Sequence, residues 1–376
     1  MSKKIGIVTM FDYFNFGNRL QNYAVQTVLE KMGFQCETLV PYSLYTAYSK
    51  KAFRQFWVNI VCMVAANRIC YKHTDAVRLY RIKRFNQNIH VRCIDSSTNF
   101  FPPDLAVKFD YFVTGSDQVW NPHFWNILLG DEATYHNHFL LFARPEQRKC
   151  FSPSFGITEL PQEWKERFYQ GLKGFDKLNV RESEGADLIY HLTGQTADVT
   201  LDPTLLLSRS EWEKVEREFS SRPKGKYILY IMLGSEAEEI TTEQKIILNE
   251  IAKKRGLTCC RMMIRKRPEW FACGPGEFIH MIKNAELVCT DSFHCTVFSI
   301  LFGKPFLLFK RILKKYGIDM SSRTATLLST LRLERKSPEN QVWNEENIFE
   351  CDYQDNMVRL EHYKEQTINI LKKSLS

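Results

Sequence analysis

The residues best suited to chemistry form one short polar segment, from Thr290 to His294, within an otherwise apolar stretch. Apolar residues at strand spacing precede this segment and apolar residues at helical spacing follow it, which predicts a strand end leading into a helix N-terminus. Unpaired backbone N–H groups and the positive end of the helix dipole favour an anion at such a place. His294 could exchange a proton there near neutral pH; its alternative role is that of a capping residue.

Two more residues of suitable chemistry follow predicted strand ends earlier in the chain. The guanidinium of Arg181 could hold a carboxylate, or it could form a structural ion pair with Glu182 or Glu184. Asp117 could accept a proton from an attacking hydroxyl group, or its side chain could form an Asx turn. These side chains are therefore candidates for an acid–base and anion-binding site.

The elements that must position these residues alternate between strand and helix. In the first half, strand-like runs at Ile5–Met10, Cys36–Val40 and Phe109–Thr114 are separated by helical or loop segments. A cluster of helix- and strand-breaking residues precedes Tyr227–Leu233, where the same alternation starts again. This pattern predicts an α/β fold with two Rossmann-like domains, each built on a mainly parallel sheet. A site is expected in the cleft between the domains, at the carboxyl ends of the strands.

Length and composition agree with two domains. With 376 residues, of which 44% are hydrophobic and 25% are charged, the chain has the composition of a soluble globular protein and not of a disordered one. We predict an N-terminal domain over residues 1–207, a C-terminal domain over residues 208–345 and a helical segment over residues 346–376. The first residues are interpreted as a strand and not as a signal peptide.

The sequence contains no recognisable metal or cofactor motif. None of its eleven cysteines lies in a C-x-x-C pair, so neither a zinc site nor a disulfide framework is predicted. The glycine patterns typical of dinucleotide-binding loops and P-loops are also missing. Reduced, mostly buried thiols in a cytoplasmic protein are the simplest interpretation, with no metal and no cofactor.

The net charge of +8 comes from one segment. Residues 50–92 contain ten Lys or Arg and one acid, which gives +9. Within this segment, Ala52–Cys70 carries apolar residues at helical spacing, but its uncharged run, between Arg54 and Arg68, is too short to span a bilayer. It could lie on an anionic membrane surface, or it could pack on the sheet with a solvated basic rim. No nucleic-acid motif accompanies the charge, so no nucleic acid is expected as a partner.

Five segments, taken together, resemble the polysaccharide pyruvyl transferase family. A further element, Arg323 followed by Leu327 and Leu328, also resembles the family, and the resemblance runs from residue 5 to about residue 335. One position departs from the family pattern, since Cys295 stands where the family usually has glycine. The five segments are Phe14–Ala24 (FNFGNRLQNYA), Gly115–Pro122 (GSDQVWNP), Val180–Gly185 (VRESEG), Leu201–Leu206 (LDPTLL) and Gly276–Phe302 (GEFIHMIKNAELVCTDSFHCTVFSILF).

The resemblance implies a GT-B-like fold and the transfer of an enolpyruvyl unit from phosphoenolpyruvate, as co-substrate, onto a sugar diol. The products are a cyclic pyruvate ketal and phosphate, formed in the biosynthesis of cell-surface polysaccharide. In this family the histidine that matches His294 lies at the donor site, and we interpret His294 as general acid and donor ligand. Arg181 is then expected to hold the donor carboxylate.

The other candidate residues divide between donor and acceptor. The donor phosphate is expected on Ser292 and on backbone N–H groups near Cys295 and Thr296. Glu277, after a Gly-Pro-Gly sequence, is either a further donor contact or a helix N-terminal acid. In the N-terminal domain, expected on the acceptor side, the candidate acceptor residues are Asn18 and Gln21 for hydroxyl groups, Trp120 for a pyranose face and Asp117 as base.

Other functions remain open at the level of sequence. The alternative enzyme is a GT-B glycosyltransferase that uses a nucleotide-sugar donor, and a different class is a glycan-binding protein without catalytic activity. The acceptor of the pyruvyl transferase could be a lipid-linked glycan or a nucleotide sugar. Because such lipid-linked acceptors are made at the inner face of the cell membrane, peripheral contact through residues 50–92 is a further expectation.

Overall fold

The protein divides into two compact units in a computed structural model that describes residues 2–46, 71–96, 98–234, 240–264, 267–313, 318–340 and 342–376. The first unit comprises the described parts of Met1–Ala52, Asn86–Leu207 and Glu361–Ser376, and the second comprises those of Phe53–Phe85 and Ser208–Leu360. The change of unit after residue 207 falls at the predicted boundary. Two stretches differ from the predicted division, since residues 71–85 belong to the second unit and residues 346–376 are shared.

Helices and short parallel strands alternate in both units. Residues 42–46 and several short stretches form additional single helical turns. In chain order the helices are α1 (Phe16–Lys31), α2 (Tyr71–Asn86), α3 (Trp125–Leu128), α4 (Asp131–His138), α5 (Lys165–Lys173), α6 (Ser183–Thr193), α7 (Pro203–Leu206), α8 (Arg209–Val215), α9 (Thr242–Arg255), α10 (Pro268–Phe271), α11 (Pro275–Lys283), α12 (Phe293–Leu301), α13 (Ser322–Leu331), α14 (Glu345–Phe349) and α15 (Gln354–Leu375).

The first unit is built on a five-stranded parallel sheet with strand order β3-β2-β1-β4-β5 and a separate parallel pair, β6-β7. The central strand β1 is almost completely buried, as is typical of a parallel strand covered by helices on both faces. The strands are β1 (Lys4–Val8), β2 (Gln35–Pro41), β3 (Val91–Ile94), β4 (Tyr111–Thr114), β5 (Arg148–Cys150), β6 (Leu178–Val180) and β7 (Ala197–Val199).

The second unit is built on a four-stranded parallel sheet with strand order β11-β10-β8-β9. An antiparallel pair, β12-β13, follows it. Apolar side chains from β8, β10, β11 and α9 form its buried core. The strands are β8 (Tyr227–Ile231), β9 (Thr258–Arg261), β10 (Leu287–Thr290), β11 (Phe306–Leu308), β12 (Ile312–Leu313) and β13 (Ile318–Asp319).

These two parallel sheets confirm the predicted fold class, α/β with two Rossmann-like domains as in a GT-B-like fold. In each unit, right-handed crossover through a helix returns the chain so that the carboxyl ends of all parallel strands lie at one edge. The candidate residues should therefore be sought at these two edges.

The described helices give no sign of a membrane span, because none is both long and apolar enough to cross a bilayer. The apolar segment Ala52–Cys70, for which an interfacial position was one expectation, lies outside the described residues. Among the described residues, no group of His, Cys, Asp and Glu side chains has the arrangement of a metal site.

Candidate functional site

The polar segment before His294 connects β10 to α12, as the sequence predicts. The strand ends at Thr290 and the helix begins at Phe293, with Ser292 in an extended conformation at the N-cap. The hydroxyl of Thr290 accepts a hydrogen bond from the Ser292 backbone N–H at 3.0 Å, which fixes the turn. The first N–H groups of α12 therefore point out of the carboxyl edge of the second sheet, where they can meet an anion.

The carboxylate of Asp291 holds the neighbouring loop in place. Its two oxygens accept hydrogen bonds from the backbone N–H groups of Leu233 and Gly234, at 2.8 and 2.7 Å. These residues follow β8, the strand that pairs with β10. Asp291 thus connects the loop after β10 to the loop after β8, and both of its carboxylate oxygens are used in doing so.

Two arginines lie at the same edge as His294. His294 is almost buried in the first turn of α12, and the guanidinium of Arg323, also buried, lies 6.0 Å from the ring centroid of the adjacent Phe293. Arg311 follows β11, where the Phe309 N–H donates to the carbonyl of Thr290 at 2.8 Å. The second sheet therefore brings positive charge to the helix N-terminus that carries the histidine.

Arg311 was not identified from the sequence. Its Nε is buried and has no hydrogen-bond partner among the described residues. Its carbonyl accepts a hydrogen bond from Met320 N–H at 2.9 Å, which ties this loop to the beginning of α13. The available signal was a pair of basic residues, Lys310 and Arg311, directly after the apolar residues Phe306–Phe309. The guanidinium of Arg311 is partly buried, and its unused Nε donor suits a carboxylate or phosphate ligand.

The expected backbone contacts near Cys295 and Thr296 need one correction. The Thr296 N–H donates to the Ser292 carbonyl at 3.0 Å, so it belongs to the helix and cannot also bind a phosphate. In an α-helix, the N–H groups that can face an anion are those that precede the first intrahelical acceptor. Burial raises the pKa of the Cys295 thiol to about 12, so the thiol stays neutral beside the site.

Glu277 lies in the first turn of α11 and is paired with two arginines of α2. Its buried carboxylate forms ion pairs with Arg84 and, at 3.6 Å, with Arg81. These ion pairs attach α2 to α11, which helps to explain why residues 71–85 belong to the second unit. Of the two predicted roles, the geometry fits that of a helix N-terminal acid. The carboxylate of Glu277 is already paired with the two arginines, so it has little capacity for a donor contact.

At the carboxyl edge of the first sheet, Gln21 has a structural position. Its Nε2 donates to the Thr9 hydroxyl at 2.8 Å, and its Oε1 accepts from the Ser116 N–H at 3.0 Å. The side chain is completely buried, so the prediction that Gln21 binds sugar hydroxyls is wrong. It ties the loop after β1 to the loop after β4. Asn18, in the same helical turn, donates from Nδ2 to the carboxylate of Asp12.

Arg181 lies in a buried network of the first unit. Its Nη1 donates to Asp202 and its Nη2 lies 3.4 Å from a carboxylate oxygen of Asp117. The predicted alternative partners were Glu182 and Glu184. The Glu182 carboxylate instead accepts from the Ser154 hydroxyl at 2.9 Å. The buried ion pair with Asp202 and Asp117 accounts for Arg181 without a ligand.

Asp202 also escaped the sequence analysis, although it lies in the LDPTLL segment that carries the resemblance. It caps α7, accepting from the Thr204 N–H at 2.9 Å, and also accepts from the Ser116 hydroxyl at 3.1 Å. The signal was an acid directly after the β-branched and apolar residues Val199–Leu201. Its three partners, Ser116, Arg181 and Thr204, lie far apart from one another in the sequence, so no pattern along the chain reveals that they meet.

The prediction that Trp120 stacks on a pyranose face is wrong. The indole is completely buried and lies parallel to the ring of Phe139, with centroids 5.6 Å apart. The rings of Phe155 and Phe175 pack around it at 5.5 and 5.9 Å. Trp120 therefore belongs to an aromatic core beneath the loop that carries Asp117.

A steric test of this loop is offered by Gly115, whose φ is +114°. A Cβ there would overlap with the Phe151 carbonyl oxygen. We expect Gly115→Ala to lower the free energy of unfolding by about 1–3 kcal/mol, measured by urea denaturation. Gly33→Ala is the matched control, because Gly33 also has positive φ (+94°) but nothing within 4 Å of its added Cβ. Equal losses in the two variants would contradict the steric explanation.

The chain has similarity to solved structures and to one protein family. The chain is similar to UDP-GlcNAc 2-epimerase from Neisseria meningitidis (10% identity, 99% of each chain covered, TM-score 0.46). It is also similar to UDP-GlcNAc 2-epimerase from Methanocaldococcus jannaschii (12% identity, 96% of this chain and 99% of that one, TM-score 0.45). No curated protein matches it. The family model described as polysaccharide pyruvyl transferase matches residues 15–311, most of the sequence, and the chain therefore belongs to the polysaccharide pyruvyl transferase family.

Proposed function

We propose that the protein transfers an enolpyruvyl unit from phosphoenolpyruvate to a sugar diol, forming a cyclic ketal and releasing phosphate. The observation that carries this proposal is the carboxyl edge of the second sheet. There, a buried histidine in the first turn of α12 lies at the same edge as Arg311 and Arg323, at the positive end of the helix dipole. Phosphoenolpyruvate has two anionic groups and a carbon that must be protonated, which is what such a set of residues serves.

The proposed roles follow from the chemistry of the donor. His294 delivers a proton to the methylene carbon while a sugar hydroxyl forms a bond to the adjacent carbon and gives its proton to a base. Asp117 was predicted as that base, but its carboxylate is buried and paired with Arg181, so it has little remaining capacity for this role. The second hydroxyl then displaces phosphate from the same carbon and closes the ring, its proton leaving with the phosphate. Arg311 and Arg323 hold the carboxylate and phosphate charges, assisted by Ser292 at the N-cap.

The alternative, a glycosyltransferase with a nucleotide-sugar donor, has less support. It requires an acid for the ribose hydroxyls, and Glu277 was the candidate. Its carboxylate is buried and occupied by Arg81 and Arg84, so it has little remaining capacity for a ribose. The proposed acceptor is a lipid-linked glycan or a nucleotide sugar, and the proposed location is the cytoplasmic face of the cell membrane.

Ligand-dependent stability and product analysis test the proposal. Phosphoenolpyruvate at a hundredfold excess over its Kd should stabilise the protein by about 2.7 kcal/mol, seen as a rise in Tm. Arg311→Gln should abolish most of this rise, whereas the control Lys108→Gln, at an exposed ion pair of the first unit, should retain it. With a panel of glycans and nucleotide sugars, phosphate should be released and the acceptor should gain a ketal. Release of a nucleotide without phosphate would contradict the proposal.

A further inference from the structure

Exposed aromatic side chains are concentrated at the carboxyl edge of the first sheet. Phe14 is 48% exposed in the loop after β1, and Tyr42 and Tyr45 are 52% and 40% exposed directly after β2. The strands β1 and β2 are parallel neighbours, so their carboxyl ends lie about 5 Å apart at the same edge. We call these three side chains the aromatic edge. All three follow strands at the edge of the sheet where α/β proteins bind their ligands.

Local hydrogen bonds hold Phe14 in its exposed position. One carboxylate oxygen of Asp12 accepts from the backbone N–H groups of Phe14 and Asn15, both at 2.7 Å, and the other accepts from Asn18 Nδ2. The loop therefore has a defined shape before any ligand arrives. A preformed aromatic surface loses little conformational entropy when it binds a ring.

Tyr42 and Tyr45 lie on one face of a helical turn. Residues 42–46 are helical, and a spacing of three places both rings on the same side. Leu44 points into the core, and the Thr46 hydroxyl donates to the Tyr42 carbonyl at 2.8 Å. The turn is thus anchored on one side and presents two tyrosines on the other.

We propose that the aromatic edge binds pyranose rings of the acceptor glycan. Aromatic rings of this kind pack against the apolar face of a sugar, while the tyrosine hydroxyls can bond its polar rim. This inference rests on the proposed function, because it assigns the acceptor to the first unit. It also gives the acceptor site an aromatic surface in place of the buried Trp120.

A second observation points to a ligand that carries hydroxyl groups. The Oδ1 of Asn18, beneath the Phe14 loop, is buried and has no hydrogen-bond partner among the described residues. Its Nδ2 faces a carboxylate, so Oδ1 must be the acceptor of the amide. An acceptor atom requires a donor such as a hydroxyl, and an anion cannot supply one.

Charge distinguishes a glycan from a lipid surface as the occupant. Aromatic side chains also lie at membrane interfaces, but attachment to anionic lipid requires neighbouring Lys or Arg. Residues 12–18 and 42–46 contain no Lys or Arg, and their only charged residue is Asp12. The described part of this surface therefore suits a neutral, hydroxyl-rich ligand. The basic segment that begins at Lys50 starts outside the described residues, and the vesicle assay below tests a lipid contact.

Glycan binding by the full-length protein tests the inference. The probe is an array of immobilised pyranose oligosaccharides without phosphoenolpyruvate, followed by titration calorimetry with the glycan that binds best. Phe14→Ala and Tyr42→Ala should each weaken binding about tenfold or more, which corresponds to about 1.4 kcal/mol. Tyr190→Ala is the matched control, because Tyr190 is 57% exposed on α6 of the same unit, and it should bind like the wild type.

Three results would overturn the inference. The first is that the wild-type protein binds no glycan of the array. The second is that the aromatic-edge variants bind glycan as tightly as the wild type. The third is that these variants lose binding to phosphatidylglycerol vesicles while their glycan binding is unchanged. Because the assay contains no donor, it is independent of the pyruvyl transfer. Glycan binding through the aromatic edge without phosphate release would leave this inference standing and reject the proposed reaction.

Discussion

Replacing His294 with glutamine is expected to slow phosphate release from phosphoenolpyruvate by about 10²–10⁴-fold while the fold is retained. Glutamine preserves a polar side chain of similar reach at the start of α12, but it cannot deliver a proton to the donor methylene. The near-complete burial of His294 supports such a role, since a buried acid loses no protons to bulk water during the reaction.

The measurement separates a catalytic role from a binding role. Steady-state phosphate release should show a fall in kcat with a smaller change in KM for phosphoenolpyruvate; a pure ligand would raise KM and leave kcat unchanged. His191→Gln is the control, because His191 is an exposed histidine on α6 of the other unit. Near wild-type turnover in His294→Gln would reject the assignment of His294 as general acid.

The local geometry around His294 could be predicted because it depends on a continuous stretch of sequence. Apolar runs with two different periods meet at Thr290–His294, so the chain itself marks where the strand stops and the helix starts. Both sheets followed from the alternation of such segments.

Burial and pairing could not be predicted in the same way, because they depend on residues far apart in sequence. Trp120 is covered by Phe139, Phe155 and Phe175, and no local pattern distinguishes such a core indole from an exposed one. Glu277 pairs with Arg84, which is 193 positions away. A pairing across that distance depends on tertiary packing.

The aromatic edge shows a related limit. Phe14 lies within the FNFGNRLQNYA segment, but its exposure depends on the turn that Asp12 forms with its own neighbours. The sequence analysis therefore assigned the sugar-binding aromatic role to Trp120, the indole of a similar loop in the same unit. Aromatic residues at a strand end become distinguishable only when the packing of the surrounding core is known.

Arg181→Met is expected to lower the free energy of unfolding by about 3–5 kcal/mol. The substitution removes the cation from a network in which Arg181, Asp117 and Asp202 are all buried. Two carboxylates would then remain in the protein interior without their counter-charge. Urea denaturation measures the loss, and Arg144→Met is the control, because the exposed pair of Arg144 with Glu146 should contribute no more than about 1 kcal/mol.

A double variant decides whether Arg181 stabilises the fold or holds the donor. If the loss in Arg181→Met comes from the unpaired Asp202 carboxylate, adding Asp202→Asn should restore part of the stability, because the second change removes that charge. A ligand-binding Arg181 would give the opposite pattern, with stability near the wild type and no rise in Tm on adding phosphoenolpyruvate. The buried contacts with Asp202 and Asp117 favour the first outcome. In that case the anion-binding role falls to Arg311 and Arg323 of the second unit, and Arg181 acts by keeping the loop of Asp117 in place.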